Sequence, residues 1–242
     1  MMQKNLFQKT VYEVYKNREP LGYKVVDAPQ MFITLWNDQT ISGLSVAHCE
    51  QFAAAELEFI KKELKCPDIR VASNLAANIN CPELKFDEIA QAMLFECSHM
   101  LDENALFEIK TVNNEQELAT FCNIVGDVFG MNDNIDALKQ SLLPDLKLHN
   151  GNKYVGYIDG CPAGIMGISR GSEAALISWV GVKSEFRRQG LCHAMLARAI
   201  NNEIAKGCYK FVLVATEMGQ KVYSKFGFKT IAQRYDYTLN LL

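Results

Sequence analysis

Residues 185–196 read EFRRQGLCHAML. Two arginines, a glutamine and a glycine stand directly before an apolar stretch of helical period. A helix starting near Gly190 leaves its first amide N–H groups without partners. A turn ahead of it can aim further N–H groups the same way and form an anion nest. Glycine allows positive φ and close approach of a ligand. Arg187 and Arg188 add positive charge where phosphate oxygens would lie. These residue types suit a phosphate cradle, and they equally suit a solvated helix start. Cys192 adds a second chemistry, because a helix N-terminus lowers a thiol's pKa and favours the nucleophilic thiolate. Packing is the preferred reading of Cys192. His193 is its chain neighbour, and adjacent helix residues do not face each other.

The elements around this run must position it. AALISWVGV (174–182) reads as a strand entering the turn, with Gly181 marking a bulge or a ligand's close approach. Residues 191–206 keep a helical face of Leu191, Met195, Leu196, Ala199, Ile200 and Ile204, with Gly207 as C-cap. YKFVLVAT (209–216) is a near-continuous apolar run, as in a buried strand. MGQKVYSKF reads as a short helix, and GFKTIAQRYDYTL ends in an alternating strand. Upstream, LFEIKTV (106–112) alternates as a strand. A helix follows from an asparagine cap at NNEQ to Gly130, then a second helix stopped by Pro144. KYVGYID and AGIMGISRG are strands joined by DGCP, a hairpin signal. The order is strand, two helices, three strands, helix, strand, helix, strand.

With that order in place, the chain resembles the GNAT superfamily of acyl-CoA-dependent N-acyltransferases. The family's Q/R-x-x-G-x-G/A is matched by Arg187-Arg188-Gln189-Gly190-Leu191-Cys192, with cysteine at the last position. VGVKSEFRRQG is similar to V-x-P-x-x-R-x-x-G, with Val182 on the valine, Ser184 where proline is usual, and Arg187 on the arginine. VYSKFGF is similar to L-Y-x-K-x-G-F and places Tyr223, Lys225, Gly227 and Phe228. The resemblance covers about residues 106–242.

The resemblance implies a mixed α/β (α+β) fold with a central, mostly antiparallel sheet flanked by helices. It implies transfer of an acetyl group from acetyl-CoA, the cosubstrate, to a primary amine by direct attack. The backbone of Val180 and Val182 would align the pantetheine. The backbone of about Arg188, Gln189, Gly190, Leu191 and Cys192 would hold the diphosphate, with Arg187 and Arg188 adding positive charge. The Val182 amide would meet the charge that develops on the carbonyl oxygen. Tyr223 is either a core aromatic or the general acid for the leaving thiolate, and its motif favours the acid. Asp127, Glu173, Glu217 or a water relay could serve as base. Trp179 reads as core or as cleft lining, with core preferred. The acceptor is expected to be a small-molecule or peptide amine. The alternative is a catalytically inactive CoA-binding or partner-binding regulatory module, and a weaker third reading is a scaffold.

The first half is built differently. Of 15 glycines, residues 1–105 hold only Gly22 and Gly43. HMLDENALFEIKTV is the expected junction, giving a smaller α/β domain over 1–105 and the acetyltransferase domain over 106–242. MFITLW reads as a strand followed by an NDQ turn, residues 49–65 as a long amphipathic helix, DIRVAS as a strand, and FDEIAQAMLFEC as a helix passing into a strand. This pattern resembles a degenerate second copy of the same family without an arginine-glycine cradle. Such a half is expected to shape the acceptor cleft; an unrelated α/β cap is the other reading. No internal repeat is evident in the sequence.

Composition narrows the remaining classes. A net charge of −3 over 242 residues gives no basic field for nucleic acid. The N-terminus is too polar for a signal peptide, and no apolar stretch is long enough to span a bilayer. A cytoplasmic protein without membrane partners is expected. The eight cysteines form no CxxC pair and suggest reduced thiols. The four histidines match no zinc pattern, so no metal site is expected. NDNID lacks the glycine and terminal glutamate of a calcium loop. Neither G-x-x-x-x-G-K-S/T nor G-x-G-x-x-G occurs.

Overall fold

The computed structural model describes residues 5–28, 30–36, 44–64, 68–77, 79–103 and 106–241. The expected NDQ turn and Cys66 lie outside the described residues. Two compact units form: Met1–Leu94 together with Leu213–Leu242, and Phe95–Val212. The expected junction at 105/106 falls within the second of these stretches, and residues 104 and 105 are outside the described ones.

The second unit contains β6 (Glu108–Thr111), α3 (Glu115–Phe129), α4 (Ile135–Leu142), β7 (Gly151–Ile158), β8 (Cys161–Arg170), β9 (Ala175–Val182), α5 (Leu191–Ile204) and the start of β10 (Lys210–Ala215). Its strands lie in the order β10-β9-β8-β7-β6. All neighbours are antiparallel except β9 and β10, which run parallel with α5 as the crossover. Local signals set the boundaries. The Asn114 side chain accepts from Glu117 N at 3.0 Å and starts α3. Gly130, at φ +69°, ends it. Asp159 and Gly160 both have positive φ, so the DGCP segment makes the two-residue turn that matches strand twist. Pro144 lies in a 3-10 turn, Leu143–Lys147, that continues from α4.

Glycines let helices press on both faces of this sheet. A Cβ on Gly156 would lie 2.8 Å from Leu191 and Met195, so α5 sits directly over that position. Gly164 faces the same two side chains. On the opposite face a Cβ on Gly181 would lie 2.7 Å from Val128 of α3. Larger residues there would push the helices away from the sheet.

The first unit contains α1 (Leu6–Lys16), β1 (Lys24–Ala28), β2 (Met31–Leu35), β3 (Val46–Gln51), α2 (Ala54–Glu63), β4 (Asp68–Leu75) and β5 (Leu84–Glu96), which crosses into the second unit after Leu94. From the C-terminal end come α6 (Glu217–Phe226) and β11 (Lys229–Asn240). The strands order as β1-β2-β3-β4-β11-β5. Thus β11, the last strand of the sequence, inserts antiparallel between β4 and β5 of the N-terminal part. Two sequence expectations are corrected. Cys49–Gln51 is strand rather than helix, because Cys49 is wholly buried and pairs with Met31 on one side and Ser73 on the other. FDEIAQAMLFEC contains no helix: up to Glu96 it lies in one long strand, much of whose length pairs with β11.

The two units repeat one plan. In each, three antiparallel strands lead through a helix to a parallel strand: β1-β2-β3-α2-β4 and β7-β8-β9-α5-β10. The repeat lies in strand order and direction, where a sequence comparison does not register it. No helix among the described residues is long and apolar enough to cross a membrane.

Beneath α1, the His48 ring stacks on Phe32 at 4.5 Å and its Nε2 lies 3.4 Å from Thr34 Oγ1. Burial, aided by Arg234 and Arg70, drives its pKa down to about 3. His48 is therefore neutral in the fold, whereas an unfolded imidazole takes up a proton below about pH 6.5. Stability is present above that pH and declines as the pH falls from 6.5 towards 3. Between pH 7.5 and 5.5 the wild type should lose about 1.4 kcal/mol more than His48→Leu. Urea unfolding of both proteins at the two pH values measures this; parallel losses would contradict it.

Candidate functional site

The run singled out in the sequence lies at the end of β9 and the start of α5. A single 3-10 turn, Ser184–Phe186, joins them. Arg188 (φ +63°) and Gly190 (φ +94°) are both left-handed, with one residue between them. Such alternation turns successive amides towards one concavity. Gly190 is the N-cap of α5, and no side chain caps this end. The amides of Leu191, Cys192 and His193 have no acceptor within the helix. Residues 187–190 are exposed. A Cβ at Gly190 would meet nothing nearer than Phe107 at 3.7 Å, so glycine here answers to backbone conformation rather than to crowding. The donors and the space suit a diphosphate.

Arg187 Nε donates to the Val182 carbonyl at 2.9 Å, tying the loop to the strand end. Lys183 pairs with Asp127 of α3 at 3.0 Å. Cys192 is half-buried, and burial pushes its thiol up to about 11. That shift opposes a thiolate nucleophile and agrees with a packing role.

Val180 and Val182 lie in β9 just ahead of this loop, both half-buried. β9 is paired with β8 along most of its length, and it pairs in parallel with β10 at Ala175↔Phe211 and Leu176↔Val212. Among the described pairings, Ile177–Val182 lie beyond the last β9–β10 pair. Their backbone groups can pair with an extended, amide-bearing ligand in the manner of an added strand. The expected bulge is present but shifted from Gly181. Between the Ile165↔Gly181 and Gly167↔Ser178 pairs, Trp179 and Val180 oppose the single residue Met166. Trp179 takes the strained φ of +54°.

The first unit treats its equivalent elements differently. β3 and β4 stay paired from Val46↔Arg70 to Gln51↔Leu75. At the start of α2, Glu56 accepts from Ala53 N at 3.2 Å, so the helix places its own carboxylate where an anion would bind. The first turn of α5 carries no such carboxylate. The helix start of the first repeat is closed by its own carboxylate, and that of α5 is not.

The structure thus brings Val180, Val182 and Arg187–Cys192 together. Tyr223 belongs to the first unit, on α6, buried and edge-on to Phe228 with ring centroids 5.9 Å apart. Asp127 is engaged by Lys183, while Glu173 and Glu217 are exposed. Sequence reasoning missed Phe129 and Glu56. Phe129 closes an amphipathic helix, where an aromatic reads as core, and Glu56 is one glutamate in an acidic helix.

Residues 149–230 match the family model described as the acetyltransferase (GNAT) domain. Solved structures share the fold across nearly the whole chain. A functionally unknown conserved protein from Staphylococcus epidermidis is 15% identical, with a TM-score of 0.68, covering 91% of this chain and 95% of its own. A GCN5-related N-acetyltransferase from Kribbella flavida is 16% identical, with a TM-score of 0.64, covering 94% and 95%. A tandem GNAT protein from the clavulanic acid biosynthesis pathway is 9% identical, with a TM-score of 0.57, covering 88% and 78%. No curated protein matches the sequence. The class is therefore that of mixed α/β proteins with two like halves. Within the C-terminal half, residues 149–230 are similar to the acetyltransferase (GNAT) domain.

Proposed function

We propose that the protein is an N-acetyltransferase that moves an acetyl group from acetyl-CoA to a primary amine on a small molecule or peptide. The observation carrying this reading is the uncapped N-terminus of α5 behind two left-handed loop residues, against the start of α2 that Glu56 closes in the first repeat. The working half spans 106–242, and 1–105 is a divergent copy that does not bind the donor.

The amides from Arg188 to Cys192, with the side chains of Arg187 and Arg188, hold the diphosphate. Val180 and Val182 align the pantetheine through their backbone. The acceptor nitrogen, once deprotonated, attacks the thioester carbonyl; the Val182 amide stabilises the oxyanion. The C–N bond forms, the C–S bond breaks, and Tyr223 gives its proton to the departing thiolate. The Tyr223 assignment rests on its place in VYSKFGF.

Calorimetric titration with acetyl-CoA, followed by thiol release with an amine panel, tests the reading. Folded protein that does not bind acetyl-CoA would overturn it. Tyr223→Phe should leave acetyl-CoA affinity within about twofold and lower kcat about 100-fold. Undiminished turnover by this variant from pH 6 to 9 would remove Tyr223 from the mechanism.

A further inference from the structure

The bulge in β9 gives Trp179 a backbone conformation that bulky L-residues avoid. Strain of this kind persists where the surrounding fold holds it, and it concentrates at ligand sites. Trp179 packs edge-to-face against Phe129, the last residue of α3, with centroids 5.9 Å apart and planes at 75°. Phe129 is 46% exposed, unusual for a large aromatic ending an amphipathic helix. Trp179 is half-buried and lies over Gly167, where a Cβ would sit 3.4 Å from its Cδ1.

The pair sits on a defined side of β9. Val182 is the cross-strand partner of Gly164, whose missing side chain faces Leu191 and Met195, so that face is filled by α5. Gly181 faces Val128 of α3, and Phe129 follows Val128 in the chain. Trp179 and Phe129 therefore lie on the α3 face, next to Val180 and opposite the face that α5 fills. A nucleophile approaching the β9 edge from this side meets two ring surfaces. Lys183 already neutralises Asp127, the carboxylate of α3 nearest in sequence to Phe129.

Resting on the acetyltransferase reading, we infer that Trp179 and Phe129 form an aromatic wall for the acceptor, and that the acceptor's amine is borne on a flat aromatic body. Phe129, 46% exposed and backed edge-on by Trp179, presents its ring to a further aromatic group in the geometry such groups prefer. The two rings offer few hydrogen bonds to a hydroxyl-rich or polycationic amine. The pair selects the acceptor and takes no part in binding the donor.

The experiment measures kcat/KM for 2-phenylethylamine, ethanolamine and spermidine at saturating acetyl-CoA, with wild type, Phe129→Ala, Phe129→Leu and Trp179→Phe. Wild type should prefer 2-phenylethylamine over both others by about tenfold or more. Phe129→Ala and Phe129→Leu should each remove most of that preference through KM, with acetyl-CoA affinity unchanged. Trp179→Phe, which keeps a ring, should retain most of it. No preference in wild type, preference for spermidine or ethanolamine, or an unchanged ratio in both Phe129 variants would overturn the inference. If acetyl-CoA binds but no amine turns over, titration of the three amines into CoA-saturated protein decides by the same ratios. Failure to bind acetyl-CoA at all rejects the enzyme reading instead; 2-phenylethylamine binding to the free protein, weakened in both Phe129 variants, would then still support the wall, and its absence would reject the wall too.

Discussion

Gly190→Val is expected to weaken acetyl-CoA binding by about 100-fold or more while the protein stays folded. Gly190 holds φ +94° at the N-cap of α5. A β-branched residue is strongly disfavoured in that region. No atom lies within 3.7 Å of the position a Cβ would take, so the cost is conformational. Residues 187–190 are exposed, and the loop can relieve the strain by turning its peptides without disturbing the core. Doing so rotates donor amides away from the concavity. Hydrogen bonds to a charged group contribute about 1.5–3 kcal/mol each, so losing two removes at least about 3 kcal/mol of binding. Gly190→Ala should lose less, because alanine tolerates the left-handed region better than valine. Calorimetry with acetyl-CoA and a thermal melt of each variant test this. Gly190→Val binding within threefold of wild type would rule out a diphosphate at this loop. A lost thermal transition would show instead that Gly190 supports the fold.

The second large effect concerns stability. Lys153 Nζ and Asp145 Oδ2 lie 2.7 Å apart, with side chains 10% and 0% exposed. Lys153 points from β7 into the core, and Asp145 lies in the 3-10 turn after α4. Asp145→Ala leaves an ammonium buried without its counter-charge, which costs about 3–5 kcal/mol. That is a large fraction of a typical domain's stability. The double variant Asp145→Leu/Lys153→Met buries no charge and should recover most of the loss. Urea unfolding gives the energies. Cys122, on the buried face of α3 with its thiol pushed up to about 11 by burial, supplies a second readout. It should react with a thiol reagent much faster in Asp145→Ala than in wild type or the double variant. A single-variant cost below about 1 kcal/mol would mean that the pair is hydrated or that the turn moves freely.

The second half was legible because its signals are local. The Asn114 cap, the Asp159-Gly160 turn and the apolar face of α5 each act within a few residues. The loop from Arg187 to Cys192 was legible for the same reason, since a nest needs only consecutive backbone and a glycine. The first half was legible only in part: MFITLW and DIRVAS read as strands and fall on β2 and β4, and α2 lies within the helix expected over 49–65. The segment from Cys49 offers apolar residues that satisfy a helical face as well as a strand, and long-range pairing with Met31 and Ser73 decides for strand. β5 mixes acidic and apolar residues without clean alternation, and β11, sequentially remote, holds it extended.

The sequence by itself determined the order of elements from residue 106 onward, the glycine-bearing turn at Arg187–Cys192 that starts α5, and the placement of Tyr223 in a recognisable motif. All three depend on short spacings that a linear chain displays. Only the tertiary structure decided that the C-terminal strand completes the N-terminal sheet. Only there does the first repeat close its helix end with Glu56, while the first turn of α5 carries no carboxylate. Trp179 likewise becomes a strained aromatic on the α3 face only through the bulge. Each of these outcomes depends on which backbone edges find partners, and residues far apart in the chain settle that pairing.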